Sequence, residues 1–190
     1  SEMCIRDRVN ESFEYDYENI KSNIHLESIS GGTDLVSCFV TGNPLMDVYS
    51  GEIQCKALGM DVDVFDEKGN SIENQKGELV CKSSFPSMPL YFWNDHDNEK
   101  YFNSYFNKYE NIWYHGDYIE KTINGGYVIY GRSDATLNSG GVRIGTAEIY
   151  RVIENITEVQ EAVAVEYKLK NDTQICLLYT SPSPRDHEQS

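Results

Sequence analysis

Short runs of β-forming residues, separated by turn residues, divide the first part of the chain into predicted strands. These runs cover residues 35–40, 51–58, 61–66, 77–82, 113–119 and 126–130. The turns between them contain Gly42-Asn43-Pro44, Asp66-Glu67-Lys68-Gly69-Asn70 and Asn124-Gly125-Gly126. Closely spaced short strands of this kind predict a small β-barrel or a folded sheet.

One stretch between these strands has a helical rather than an alternating pattern. Its aromatic residues recur at the spacing of one helix face, at Tyr101, Phe102, Tyr105, Phe106 and Tyr109. A stripe of this kind faces the protein core far more often than it lines a ligand site. We therefore predict a helix here with a core-facing aromatic side.

The pattern changes after Asp134, where we place a domain boundary. Residues 137–144 predict a hairpin around Ser139-Gly140-Gly141, and Thr146 is the expected N-cap of a following amphipathic helix. Strands are predicted at residues 159–167 and from residue 174 onwards. Together the two parts predict an α/β fold class.

The composition is that of a globular protein, and it indicates in which cellular compartment the chain would lie. Of the 190 residues, 39% are hydrophobic and 25% are charged, and the apolar runs are too short to span a membrane. We expect no membrane segment, and the N-terminus has no apolar core typical of a signal peptide. The five cysteines form no Cys-x-x-Cys pair, which favours reduced thiols in a cytoplasmic protein.

The charge balance is strongly acidic, with a formal net charge of −15. Such a chain would repel the phosphates of nucleic acids, so we expect no nucleic-acid partner. Any site for a phosphate-bearing small molecule must then be built locally from basic residues. Arg132 and Arg143 are the candidates, because a guanidinium binds phosphate oxygens bidentately. The alternative for Arg132 is a surface ion pair.

Both ends of the chain differ in character from the rest. Residues 1–8 and 177–190 resemble translated sequencing-adapter read-through, and the alternative is a pair of ordinary flexible termini. We expect residues 1–8 to be an artefactual flank, and residues 177–190 to be an artefactual or disordered tail. Neither end enters the fold prediction.

Three segments carry a recognisable chemistry. The longest covers residues 131–149, in which two arginines, Asp134 and the pair Gly140-Gly141 lead into the predicted helix. The other two are Ser30-Gly31-Gly32-Thr33-Asp34 and Trp113-Tyr114-His115-Gly116-Asp117. Taken together, they resemble the adenylate-forming superfamily of acyl-CoA synthetases. Most of that superfamily has glutamate at the position of Asp34, and aspartate there resembles its acetoacetate–CoA ligase branch, as do residues 51–55, 85–89 and 92–95.

The resemblance implies a fold and a domain organisation. Residues 9–133 would form the C-terminal part of a large AMP-binding adenylating domain, with a β-barrel-like subdomain. Residues 134–176 would begin a small, mobile α+β C-terminal domain. Asp134 would be the hinge between them.

The resemblance also implies roles for individual residues. Asp117 would hold the ATP ribose, since a carboxylate offers acceptors for both hydroxyls. Asp34 would support Mg²⁺, and Gly31 would replace a bulky aromatic residue of acetate-activating members and leave room for a longer acid. ATP or AMP would also be bound by Gly31, Gly32, Thr33, Arg132 and Arg143, and coenzyme A by Gly140 and Gly141. The residues that would act in catalysis are Thr33, Asp34 and Arg143.

The implied reaction activates acetoacetate with ATP to acetoacetyl-AMP and passes the acyl group to coenzyme A. Acetoacetate, ATP and coenzyme A would be the small-molecule partners, and no oligomeric state is implied. Two alternatives stay open: another short-chain acyl-CoA synthetase, or a non-catalytic nucleotide-binding module. Because the chain contains neither the superfamily's phosphate loop nor its C-terminal catalytic lysine, we expect the isolated chain to be inactive.

Overall fold

The computed structural model describes residues 10–133, 136–139, 142–154, 156, 158–168 and 173–181. They fall into two compact units, which lie within Ser1–Ile129 and Tyr130–Ser190. Helices and antiparallel strands occur in both, so the predicted mixed α/β class is confirmed. The predicted boundary and hinge residue, Asp134, lies outside the described residues.

The first unit begins with a short helix and then consists mainly of strands. Helix α1 covers Asn10–Tyr15 and continues as a π-helical turn over Asp16–Ile20. The strands that follow are β1 (Ser30–Gly32), β2 (Ser37–Thr41), β3 (Cys55–Lys56), β4 (Val62–Phe65) and β5 (Gly77–Cys81). Helix α2 (Glu99–Tyr105) precedes β6 (Trp113–Lys121) and β7 (Tyr127–Arg132), the last of which ends in the second unit.

Two sheets organise these strands. One has three strands in the order β1-β2-β3, and the other has four in the order β4-β5-β6-β7. Both sheets are open, so the predicted barrel-like closure is wrong. The edges of the larger sheet are occupied by short irregular segments: Ile72 donates its amide to Val64 O at 2.9 Å, and Ile53 bridges Tyr127. With its edge groups bonded in this way, the sheet does not need to close on itself.

The core of the first unit lies between the two sheets and α2. Its members are fully or almost fully buried and include Leu35, Phe39, Val40, Val62, Val64, Leu79, Trp113, Ile119, Tyr127 and Ile129. Alternate residues of β6 supply its part of this core, as expected for a strand with one buried face.

Helix α2 is shorter than the aromatic stripe that predicted it. It ends at Tyr105, and Phe106 has already left helical geometry with φ of −127°. Tyr109 instead packs against the Phe65 ring at 5.5 Å and donates its hydroxyl to Asp66 O at 2.8 Å. The stripe is only partly core-facing, since Tyr105 joins the core and Tyr101 and Phe106 pack against it, whereas Phe102 is exposed.

The described residues of the second unit form two antiparallel hairpins and one helix. Strands β8 (Thr136–Ser139) and β9 (Val142–Gly145) form the predicted hairpin, whose tip at Gly140 and Gly141 lies outside the described residues. Helix α3 (Thr146–Glu154) follows, and then β10 (Glu161–Lys168) pairs with β11 (Thr173–Thr180). The Ala164 amide donates to the Tyr150 hydroxyl at 3.1 Å, which links α3 to β10.

Strand β11 runs to Thr180 and so includes the first residues of the expected tail. The foreign origin of both ends stays a prediction. Among the helices of the described ranges, none is long and apolar enough to cross a membrane.

The core assignment can be checked with one pair of leucines. Leu79 is 0% exposed at the centre of β5, whereas Leu58 is 99% exposed. We expect Leu79→Ala to lower the free energy of unfolding by about 2–5 kcal/mol, because it leaves a cavity between the sheets. The matched variant Leu58→Ala should change it by less than about 0.5 kcal/mol. Urea unfolding measures both, and equal losses would contradict this core.

Candidate functional site

The Gly-Gly-Thr-Asp segment forms the end of β1 and the turn into β2. Gly31 pairs with Cys38 and Gly32 with Ser37, while Thr33 and Asp34 lie exposed in the turn. The Val36 amide donates to Thr33 O at 3.3 Å, and Leu35 is fully buried beneath the turn. Two polar side chains are thus presented to solvent from a turn that is anchored in the core.

Gly31 is explained by close approach of the two strands. A Cβ at this position would lie 2.2 Å from Ser37 O and 2.4 Å from Cys38 Cα, both backbone atoms. The space beside Gly31 is therefore filled by β2. In this structure the glycine allows the strands to pack, and no free room for a longer acid lies on that side.

Strand β6 is irregular where it carries the Trp113–Asp117 segment. Glu78 pairs with Tyr118 and Val80 with Tyr114, so Leu79 of β5 alone lies opposite three residues of β6. Gly116 has φ of +81°, a conformation that favours glycine. The result is a bulge over residues 115–117, a feature that redirects side chains and is frequent beside active sites.

This bulge places His115 and Asp117 together in a buried position. They are 6% and 5% exposed, and His115 Nε2 lies 3.6 Å from Asp117 Oδ2. The His115 ring also makes an edge contact with Phe39 at 4.8 Å. On its other side, a Cβ built on Gly32 would lie 2.9 Å from His115 Cε1. His115 therefore connects the Gly-Gly-Thr-Asp turn with Asp117.

A second contact reaches the turn from helix α2. The Tyr105 hydroxyl donates to Asp34 Oδ2, and the Tyr105 ring stacks on Trp113 with 3.7 Å between centroids and 14° between planes. Asp34 Oδ1 lies against Gly32, 2.1 Å from where a Cβ would be. The Asp34 carboxylate thus accepts a hydrogen bond from α2 and lies close to Gly32, although the residue is exposed.

The N-terminus of α2 is fixed by a carboxylate. Buried Asp95 accepts hydrogen bonds from the Lys100 and Tyr101 amides at 3.1 and 2.8 Å. Desolvation raises the pKa of Asp95, but these two backbone donors, the Lys100 charge and a side-chain hydrogen bond with Asp97 together hold that pKa below its usual value. Asp95 therefore stabilises the first turn of the helix that carries Tyr105.

The other predicted site residues belong to the second unit. Arg132 is half-buried at the end of β7, and Arg143 lies in β9. Gly140, Gly141 and Asp134 lie outside the described residues. The structure thus brings Gly31, Gly32, Thr33, Asp34 and Asp117 together in the first unit.

Asp34 is the residue predicted to support Mg²⁺. Over the described part of the chain, no cluster of three or more His, Cys, Asp or Glu side chains could hold a metal ion. A protein-only metal cage is therefore not formed there. Mg²⁺ that keeps its waters and binds substrate phosphates needs only one or two carboxylates, which one exposed Asp34 fits.

Two curated relatives of the chain are acetoacetyl-CoA synthetases. The chain is 54% identical over 167 residues to the acetoacetyl-coenzyme A synthetase of Rhizobium meliloti (strain 1021), covering 88% of this chain and 26% of that protein. It is 46% identical over 169 residues to the acetoacetyl-CoA synthetase of Rattus norvegicus, covering 88% of this chain and 25% of the relative. No family model matches the chain.

Solved structures agree with the sequence comparison. The acetoacetyl-CoA synthetase of Streptomyces lividans superposes with a TM-score of 0.80 at 36% identity, over 92% of this chain and 26% of that one. The chain is thus homologous to one quarter of an acetoacetyl-CoA synthetase. The anthranilate CoA ligase AuaEII, in complex with anthranoyl-AMP, shares the fold with a TM-score of 0.66 at 19% identity over 92% of this chain and 34% of that one.

The predicted resemblance to acetoacetyl-CoA synthetases is therefore confirmed, and the chain spans about a quarter of the length of the relatives it matches.

Two residues of the site were missed from the sequence. His115 stands on the buried face shared with Trp113 and Asp117, and this alternation was the available signal. Tyr105 was assigned to the core, and its hydroxyl partner lies 71 positions away.

The close approach at Gly31 generates a stability prediction. We expect Gly31→Ala to lower the free energy of unfolding by about 3 kcal/mol, because the methyl group overlaps backbone that cannot rotate away. The control is Gly125→Ala, where a Cβ meets nothing within 4 Å but φ is +82°. That variant should lose only about 1 kcal/mol. Equal losses in thermal or urea unfolding would show that β1 and β2 do not pack this tightly.

The Asp95 cap generates a pH prediction. Its lowered pKa stabilises the fold above the unfolded value of about 3.8, and that stability is lost as the pH falls through the folded pKa. We therefore expect Asp95→Asn to lower the melting temperature at pH 6. The difference in melting temperature between this variant and the unmodified chain should become smaller towards pH 3. Asp47→Asn, at an exposed loop position, controls for loss of one negative charge. A difference in melting temperature that does not shrink on acidification would contradict this role.

Proposed function

We propose that this chain contributes part of the nucleotide site of an AMP-forming ligase that activates acetoacetate with ATP and transfers the acetoacetyl group to coenzyme A. The carrying observation is that a chain homologous to acetoacetyl-CoA synthetases brings the Gly32–Asp34 turn and Asp117 together around His115. Neither segment alone would support this function, since each is a common turn or strand sequence.

Asp117 is proposed to bind the ribose. Its carboxylate is a buried acceptor beside His115 Nε2, at 3.6 Å. A buried, oriented carboxylate accepts from two vicinal hydroxyls and gains more from them than an exposed one would. The bulge at Gly116 supplies the backbone geometry that holds it.

Phosphate binding requires positive charge that the first unit's turn does not supply. Thr33 can donate a hydroxyl hydrogen bond, but Asp34 would repel a phosphate unless a cation lies between them. We propose that Asp34 holds Mg²⁺ together with phosphate oxygens, and that Mg²⁺ neutralises phosphate charge there. Arg132 and Arg143 would supply the guanidinium contacts, with Thr33, Asp34 and Arg143 acting during adenylate formation.

The second half-reaction is assigned to the second unit. Gly140 and Gly141 would let the pantetheine arm of coenzyme A pass close to the backbone, and Asp134 would act as the hinge. The thiol of coenzyme A attacks the acyl carbonyl of acetoacetyl-AMP, and AMP leaves. A cytoplasmic location is consistent with Cys38, Cys55, Cys81 and Cys176, all of which are free thiols.

A chimaera tests this proposal without relying on the isolated chain. Residues 13–165 would replace the matching segment of the Rhizobium meliloti enzyme, to which the chain is 54% identical. We expect acetoacetate-dependent pyrophosphate release and acetoacetyl-CoA formation by the chimaera, and neither by the 190-residue chain. Asp117→Asn in the chimaera should raise KM for ATP by about 10- to 100-fold, because charged hydrogen bonds contribute about 1.5–3 kcal/mol.

Asp47, at an exposed loop position, provides the matched control, since Asp47→Asn removes the same charge from outside the Gly32–Asp34 turn and the bulge at Asp117. A folded chimaera that accepts acetate and not acetoacetate would show another short-chain acyl-CoA synthetase. A folded chimaera that binds ATP without turnover would favour the nucleotide-binding module. Either result would contradict the proposed reaction.

A further inference from the structure

The turn between β1 and β2 contains a conformation that its own sequence does not favour. Val36 has φ of +51°, in the left-handed region, where a β-branched residue is a steric outlier. Its side chain is 87% exposed, so burial of that side chain does not offset the strain. Strain of this kind persists only where surrounding contacts hold the backbone, and it occurs often at functional sites.

Besides buried Leu35, one contact on this turn comes from a distant part of the chain. Asp34, two residues before Val36, accepts the Tyr105 hydroxyl through Oδ2 while its Oδ1 lies against Gly32. One carboxylate therefore joins the turn, the end of β1 and helix α2. Because Thr33 and Asp34 belong to the same turn, their placement depends on this junction.

Tyr105 is itself rigidly placed, which makes it an effective donor. It is 9% exposed and stacks on Trp113, and its ring meets the Tyr101 and Phe92 rings at 5.6 and 5.7 Å. A side chain packed on all these faces has already lost its rotamer freedom in the folded core. The hydrogen bond to Asp34 then costs little additional ordering.

We propose that Tyr105 is a positioning residue, which holds the Asp34 carboxylate and the strained turn over residues 33–36 in the geometry that the nucleotide site uses. The effect of Tyr105 on nucleotide binding rests on the proposed function, in which Asp34 supports Mg²⁺ and phosphate binding. Tyr105 contacts no reacting atom and acts through Asp34. Removal of its hydroxyl alone should loosen the turn without unfolding the core.

Two variants of the 190-residue chain test the structural step. Tyr105→Phe removes only the hydroxyl and keeps the ring that stacks on Trp113. Tyr101→Phe is the matched control, because Tyr101 lies on the same helix and donates its hydroxyl to Pro89 O instead. By NMR hydrogen exchange, we expect the Val36 amide to exchange about tenfold faster in Tyr105→Phe, and less than about twofold faster in Tyr101→Phe. Equal exchange in the two variants would overturn the proposal.

The same variants in the chimaera test the functional step. Tyr105→Phe should raise the KM for Mg·ATP by about tenfold with a smaller change in kcat, and Tyr101→Phe should leave both unchanged. In an Asp34→Ala background, Tyr105→Phe should have no further effect, because the acceptor of the Tyr105 hydroxyl has been removed. Additive losses would show a general structural role and overturn the positioning role. A chimaera without any turnover contradicts the proposed function, while the exchange rates still decide whether Tyr105 holds the turn.

Discussion

The aromatic packing around Trp113 is the constraint on which the first unit depends. Trp113 is 2% exposed, and its ring meets rings from β2, from the loop after β5 and from α2. Since β2 follows the Thr33–Asp34 turn and β6 continues into His115 and Asp117, one buried ring system fixes all the elements that carry the site. The polar residues of the site therefore rest on apolar packing, and their precision follows from it.

Electrostatics set the second constraint. A chain with a net charge of −15 does not attract a nucleotide by its overall field. The first unit adds Asp34 and Asp117 at its site, which suits hydroxyl groups and cations better than bare phosphate. Under the proposed function, these two carboxylates would bind ribose and a metal ion, and phosphate would require basic groups that the Gly32–Asp34 turn does not supply.

Local patterns were sufficient for most of the fold. The predicted strands at residues 61–66, 77–82 and 113–119 match β4, β5 and β6 to within two residues, because alternation and turn residues act locally. The open sheet edges could not be predicted, since they depend on Ile53 and Ile72 meeting strands far along the chain. The hydrogen bond from the Tyr105 hydroxyl to Asp34 could not be predicted for the same reason. Aromatic spacing correctly predicted a buried ring but carries no information about the partner of its hydroxyl.

Gly31 is required for strand packing, a role that differs from the one the resemblance implied for it. The resemblance suggested that a missing side chain leaves space for a longer acid, whereas the structure fills that space with Ser37 and Cys38 backbone. A side chain absent from one strand can be replaced by the neighbouring strand moving closer, so a smaller residue need not give a larger pocket. The β1–β2 hairpin is held by buried Leu35 and Phe39 and by the Tyr105–Asp34 contact. The backbone around Gly31 therefore depends on the packing that holds the whole hairpin in place, and not on the glycine alone.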